Sequence, residues 1–79
     1  MSAKRDTHLY SLYNGHKKVY IGITDDPETR ETAHAQDKKF TRMQVEGPAI
    51  SRDTALNREQ EALEQYRRGH DGKLPKYNN

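Results

Sequence analysis

The 79-residue chain reads as a small α+β domain, a three-stranded antiparallel sheet flanked by helices in the order β-β-α-β-α. Three observations predict this. Two runs rich in aromatic and β-branched residues within residues 9–22 flank Asn14-Gly15, a strong short-range hairpin signal. Asp26-Pro27-Glu28 then opens a helix, and Ser51 starts the longest helical periodicity in the chain after a further apolar run over residues 40–46. No repeat, low-complexity tract or linker divides the sequence. Residues 8–79 are therefore expected to form one domain behind a mobile lead-in of residues 1–7, which lacks periodicity.

Composition limits the possibilities. Only eleven residues are Leu, Ile, Val or Phe, so the core must be thin and the surface polar. Fourteen Lys and Arg against twelve Asp and Glu leave a net charge of +2, which tolerates nucleic acid without requiring it. The absence of cysteine excludes a disulfide framework and a thiolate zinc site, and His8, His16, His34 and His70 lack metal-ligand spacing. No apolar run approaches a membrane span or signal-peptide core. A soluble intracellular protein, cytoplasmic or nucleoid-associated, is expected, with no membrane partner.

The hairpin's loop length decides where its tyrosines point. A two-residue loop at Asn14-Gly15 pairs Tyr13 with His16 and sends Tyr10 and Tyr20 to opposite faces. A three-residue loop with Gly15 in the left-handed conformation places Tyr10, Leu12, Lys18 and Tyr20 together. The other face is then Leu9, Ser11, Lys17, Val19 and Ile21, the set a small core would bury. The odd-length loop is preferred, with two phenols and Lys18 side by side away from the core.

Asp26 as N-cap and Pro27 at the first helical position start a helix that runs to about Gln36. It has almost no large apolar residues, so a hydrophobic stripe cannot anchor it. Arg30, Ala33 and His34 share one face, small Ala33 permitting close approach. Residues 40–46, with Phe40, Met43 and Val45, read as the third strand, ended by Gly47-Pro48. In the last helix Ala55, Leu56, Ala62, Leu63 and Tyr66 fall within roughly 120° of arc, and Gly69 is expected as its C′ residue. Glu59 lies inside that stripe, where a carboxylate loses hydration unless a cation, a metal or strong donors meet it. A partner such as Arg30 would satisfy it without any catalytic role. Beyond a turn at Asp71-Gly72, Leu74 and Tyr77 can add apolar contacts.

Two tyrosines, an arginine, a histidine and an intruding glutamate are the ingredients of metal-assisted phosphodiester hydrolysis. A carboxylate holds a hard cation such as Mg²⁺ (or Mn²⁺), arginine neutralises phosphoryl charge, and tyrosine or histidine takes a proton from water. A phenol is a poor base at neutral pH unless Arg30, Lys18 or the metal lowers its pKa.

The order His8-Leu9-Tyr10, Tyr20-Ile21-Gly22, Arg30, His34, Glu59 and Asn78 resembles the GIY-YIG nuclease family over residues 9–78. The first glycine of that pattern is His8 here. The resemblance implies catalytic roles for Tyr10, Tyr20, Arg30, His34 and Glu59, with Glu59 the metal ligand and Gly22 allowing close backbone approach. It also implies that the substrate is DNA. Lys18, Lys38, Lys39, Arg42, Lys76 and Asn78 are the expected nucleic-acid contacts, suited to phosphate rather than base readout. The alternative is a non-catalytic module of the same fold that binds nucleic acid or protein. A nuclease this small has little surface for long-site recognition, so a homodimer or a recruiting partner protein is a further expectation.

Overall fold

A computed structural model describes residues 5–78. The strands are β1 (Arg5–Asn14), β2 (Lys17–Thr24) and β3 (Arg42–Ser51); the helices are α1 (Pro27–Ala35) and α2 (Arg52–Gly69), and a 3₁₀ turn, Lys76–Asn78, ends the described chain. The sheet is antiparallel with order β2-β1-β3, the α+β arrangement expected. Of the predicted lead-in, residues 1–4 lie outside the described residues. Arg5, Asp6 and Thr7 correct the prediction, because they belong to β1 and Arg5 and Thr7 pair with Ser51 and Ile50 of β3.

With β1 in the centre, both sheet faces are covered. Tyr10 and Leu12 are 1% and 0% exposed, and Ser11 and Ile21, of opposite parity, are also buried. The expected division into a core face and an outward tyrosine face therefore does not hold. Tyr10, Leu12 and Val19 form a cluster packed by Tyr20, Phe40, Met43 and Tyr77, so the aromatic rings supply apolar area that the few aliphatic residues cannot.

The hairpin brings its tyrosines together by a route other than the odd-length loop. The turn is two residues, Gly15-His16, with Asn14 opposite Lys17 and Tyr13 opposite Lys18. The register then shifts so that Leu12 faces Tyr20 and Tyr10 faces Gly22, leaving Val19 as the extra residue of a β-bulge. One inserted residue restores the parity that the loop itself does not provide. Lys18 lies on the turn side of the bulge, opposite Tyr13, and so does not join Tyr10 and Tyr20 as predicted.

Strand β3 continues past Gly47-Pro48. Leu9 faces Glu46 while Thr7 faces Ile50, so extra β3 residues bulge outward around Gly47, whose φ is 79°. An edge strand tolerates this because the missing Pro48 N–H leaves no ladder partner unmet. Helix α2 is capped by Ser51, whose hydroxyl accepts from the Thr54 amide. Ala55 is buried and Ala62, Leu63 and Tyr66 are half-buried, but Leu56 is 40% exposed, so the buried stripe is narrower than predicted. Gly69 is the last helical residue rather than C′. The left-handed residues are Asp71 and Gly72, at φ 56° and 81°, and the Gly72 amide donates back to the Arg67 carbonyl.

The C-terminal segment closes the other sheet edge. The Asn78 side chain accepts from the Ile21 amide and donates to the Ile21 carbonyl, both at 2.9 Å. It thus satisfies an edge residue of β2 as a neighbouring strand would. This occupation replaces the expected contact of Asn78 with nucleic acid. Pro75 is buried beside it in sequence, and the Tyr77 hydroxyl accepts from the Lys39 amide at 3.0 Å.

Candidate active site

Tyr10 from β1, Tyr20 from β2 and His34 from α1 meet in one cluster. The tyrosine ring centroids are 5.9 Å apart, and the imidazole lies 5.8 Å from Tyr10 and 4.9 Å from Tyr20. The Tyr10 hydroxyl and His34 Nε2 share a buried hydrogen bond of 2.7 Å, its direction following the imidazole tautomer.

Local sequence explains how each group arrives. Helix α1 starts where predicted, the Asp26 carboxylate accepting from the Thr29 amide and hydroxyl. His34 is the only buried residue of α1, so an imidazole takes the place of the missing apolar stripe. Ala33 is exposed and does not provide the close approach predicted for it. Arg30, one turn before His34, is exposed. Gly22 has the tightest surroundings of the described glycines: a Cβ there would fall 2.8 Å from Tyr10 Oη, 2.8 Å from Tyr20 Cε2 and 2.9 Å from Tyr10 Cζ. The phenols sit over bare backbone, the close approach expected of this glycine.

The electrostatics assign different characters to these groups. Burial, reinforced by the neighbouring Tyr20, pushes the Tyr10 phenol well above the ordinary tyrosine range. Arg30 pulls it down, but burial outweighs that cation, so the phenol is not lowered as a tyrosine base would need. His34 is lowered, chiefly by burial and further by Lys38 and Arg30, with Asp37 opposing; near pH 7 it is neutral. Burial raises the half-buried Glu59 carboxyl, with Arg52 opposing. The charges of Arg30 and Glu59 both act on the Tyr10 phenol, which puts the two residues within electrostatic reach of one oxygen. Among the described residues, no ion pair involves Glu59, so the alternative of an Arg30–Glu59 pair is not what forms.

The lysine beside the phenols is Lys38, not Lys18. Its side chain is only 16% exposed and pairs with Asp37 at 3.4 Å. Its Nζ lies 5.3 Å from the Tyr20 ring centre and 5.9 Å from that of Tyr77. Lys18 and Arg42 instead attend Tyr13, at 5.7 and 4.1 Å. Lys39, Arg42 and Lys76 are exposed, as phosphate contacts must be. Sequence reading missed the placement of Lys38 because it lies beyond the helix end, where periodicity says nothing about direction. His8, two residues before Tyr10 and opposite Thr24, buries its Nδ1 without a hydrogen-bond partner.

Among the described residues, no group of three or more His, Cys, Asp or Glu could hold a metal ion. One carboxylate can suffice for Mg²⁺, which keeps several waters and takes phosphate oxygens as ligands. The desolvated, unpaired Glu59 fits that use. No helix among the described residues is long and apolar enough to cross a membrane. No protein-family model matches the chain, and no curated protein or solved structure matches it.

Proposed function

We propose that the chain is a divalent-metal-dependent DNA endonuclease of the GIY-YIG type, hydrolysing phosphodiester bonds. The observation that carries this reading is the convergence of Tyr10, Tyr20 and His34 over Gly22, with a 2.7 Å Tyr10–His34 bond. An ordinary strand tyrosine needs no buried imidazole bonded to it.

In this reading Glu59 would hold Mg²⁺ or Mn²⁺, which would supply Lewis-acid stabilisation to the phosphate. Arg30, exposed at the site's margin, neutralises charge developing on the non-bridging oxygens. Neutral His34 has a nitrogen able to accept a proton from water as its oxygen bonds to phosphorus and the bridging P–O bond breaks, the departing deoxyribose oxygen taking a proton from solvent; Tyr10 fixes the ring through Nε2. Tyr20, 4.9 Å from that ring, orients the water. Lys18, Lys39, Arg42 and Lys76 supply backbone contacts to DNA.

The test is plasmid nicking and linearisation with Mg²⁺ or Mn²⁺, with and without a chelator. Cleavage should require metal and disappear in Glu59→Ala and Arg30→Ala. Retention of cleavage by both variants overturns the proposal.

A further inference from the structure

At the hairpin end of the sheet, Lys18, Tyr13 and Arg42 occupy one cross-strand row, so their side chains leave the same face. Tyr13 has the opposite parity to Tyr10 along β1, which places this row on the other side of the sheet from the phenol of the candidate active site. The row is built rather than incidental. The Arg42 guanidinium lies 4.1 Å from the Tyr13 ring centre, and its Nη1 donates to Gln44 Oε1 at 2.7 Å. The Tyr13 carbonyl accepts from both the Thr41 amide, at 2.7 Å, and the Thr41 hydroxyl, at 3.1 Å. Thr41 Oγ1 in turn accepts from the Gly15 amide at 2.9 Å. Gln44 therefore holds the guanidinium, and Thr41 holds the backbone that carries the ring. Among the described residues, no ion pair involves Arg42 or Lys18, and Arg42 is exposed.

A guanidinium held over an aromatic ring, with no acid among the described residues to neutralise it, offers a planar cation on which a nucleobase can stack, while Lys18 offers charge to the adjoining phosphate. We infer that the Lys18–Tyr13–Arg42 row binds an unpaired nucleotide of the DNA substrate by stacking its base on the Arg42–Tyr13 pair. This rests on the nuclease reading for the identity of the ligand, and it adds a preference for DNA that has a single-stranded segment. A fully paired duplex keeps its bases inside the stack and presents only phosphates to the same row.

The measurement is fluorescence-anisotropy binding of the whole chain to labelled oligo(dT) and to a blunt duplex hairpin of equal charge, in chelator so that no cleavage occurs. Oligo(dT) should bind more tightly than the hairpin. Arg42→Lys, which keeps the charge and loses the plane, should weaken oligo(dT) binding about tenfold, within the range for one stacked base, and weaken hairpin binding by distinctly less. Tyr13→Phe should keep the preference and Tyr13→Ala should lose it. Arg42→Lys sits on an exposed edge position and keeps the inference testable if Tyr13→Ala does not fold. Equal binding of the two DNAs, or equal loss on both in Arg42→Lys, overturns the stacking site. The readout is independent of cleavage: absence of the preference in the native chain with metal-dependent cleavage intact sinks this inference alone. Stacking without any cleavage sinks the nuclease reading and spares the binding site.

Discussion

Gly22→Ala puts the packing of the site to a quantitative test. The added Cβ falls 2.8–2.9 Å from three heavy atoms of Tyr10 and Tyr20, whereas carbon contacts settle at about 3.5–4.0 Å. The phenols must therefore retreat by about 0.6–1.2 Å. Tyr10 is 1% exposed and has no free volume to retreat into, so its 2.7 Å bond to His34 stretches toward lengths that no longer count as a hydrogen bond. Overpacking costs about 1–3 kcal/mol, and loss of the buried hydrogen bond adds about 1 kcal/mol. Gly22 does not have positive φ, so alanine returns about 0.4–1 kcal/mol by restricting the unfolded chain. The net destabilisation is about 1–3 kcal/mol, a fall in Tm of roughly 5–20 °C for a domain of this size. Gly69→Ala is the control: nothing lies within 4 Å of its added Cβ and it is helical, so it should stabilise by up to about 1 kcal/mol. Circular-dichroism melts give both values, and the His34 ring resonances report the lost bond directly. If Gly22→Ala melts within a degree or two of the native chain with unchanged His34 shifts, the close seating of Tyr10 over Gly22 is wrong.

Three further outcomes are expected. Glu59→Gln removes a desolvated charge that no described residue pairs, so Tm should hold or rise while metal-dependent cleavage disappears; a lower Tm with cleavage retained would make Glu59 a structural residue. His34 is harder to protonate in the folded state than at its ordinary 6.5, so the unfolded state binds more protons below that pH. Folding should weaken as pH falls from about 6.5 through the depressed value, and His34→Gln should flatten that part of the stability profile in urea titrations. Glu59, raised above its ordinary 4.5, acts with the opposite sign at lower pH, favouring the folded state as its carboxyl takes up a proton. Asn78→Ala leaves the Ile21 amide and carbonyl without their side-chain partner, costing about 1–3 kcal/mol. Hydrogen exchange should show the Ile21 amide losing protection first, and unchanged exchange there would remove Asn78 from the edge.

Sequence alone determined the element order, the hairpin, both helix N-caps and the glycine beneath the phenols. These are decided within a few residues: Gly15, at φ 65°, permits the turn, Asp26 and Ser51 meet orphan amides one turn away, and the spacing of apolar residues sets the period. It also singled out Tyr10, Tyr20 and His34, which the fold brings into one cluster, and Glu59 as a carboxylate out of place. The tertiary structure alone decided which residues surround them. Tyr10 and Tyr20 share a face because of a bulge at Val19, and no local signal distinguishes that residue from its neighbours. Tyr10 is buried because β1 became the central strand, a choice made by β3, whose distant Val45 pairs with Tyr10, and not by β1 itself. That burial raises the Tyr10 phenol where a tyrosine base would need it lowered, since desolvation scales with everything packed around the phenol and Arg30 is only one nearby charge. The packing of Lys38 between Tyr20 and Tyr77 and of Asn78 on the β2 edge was set in the same way. A side chain's partner across the fold depends on how the elements dock, which a linear pattern constrains only through the faces it makes apolar.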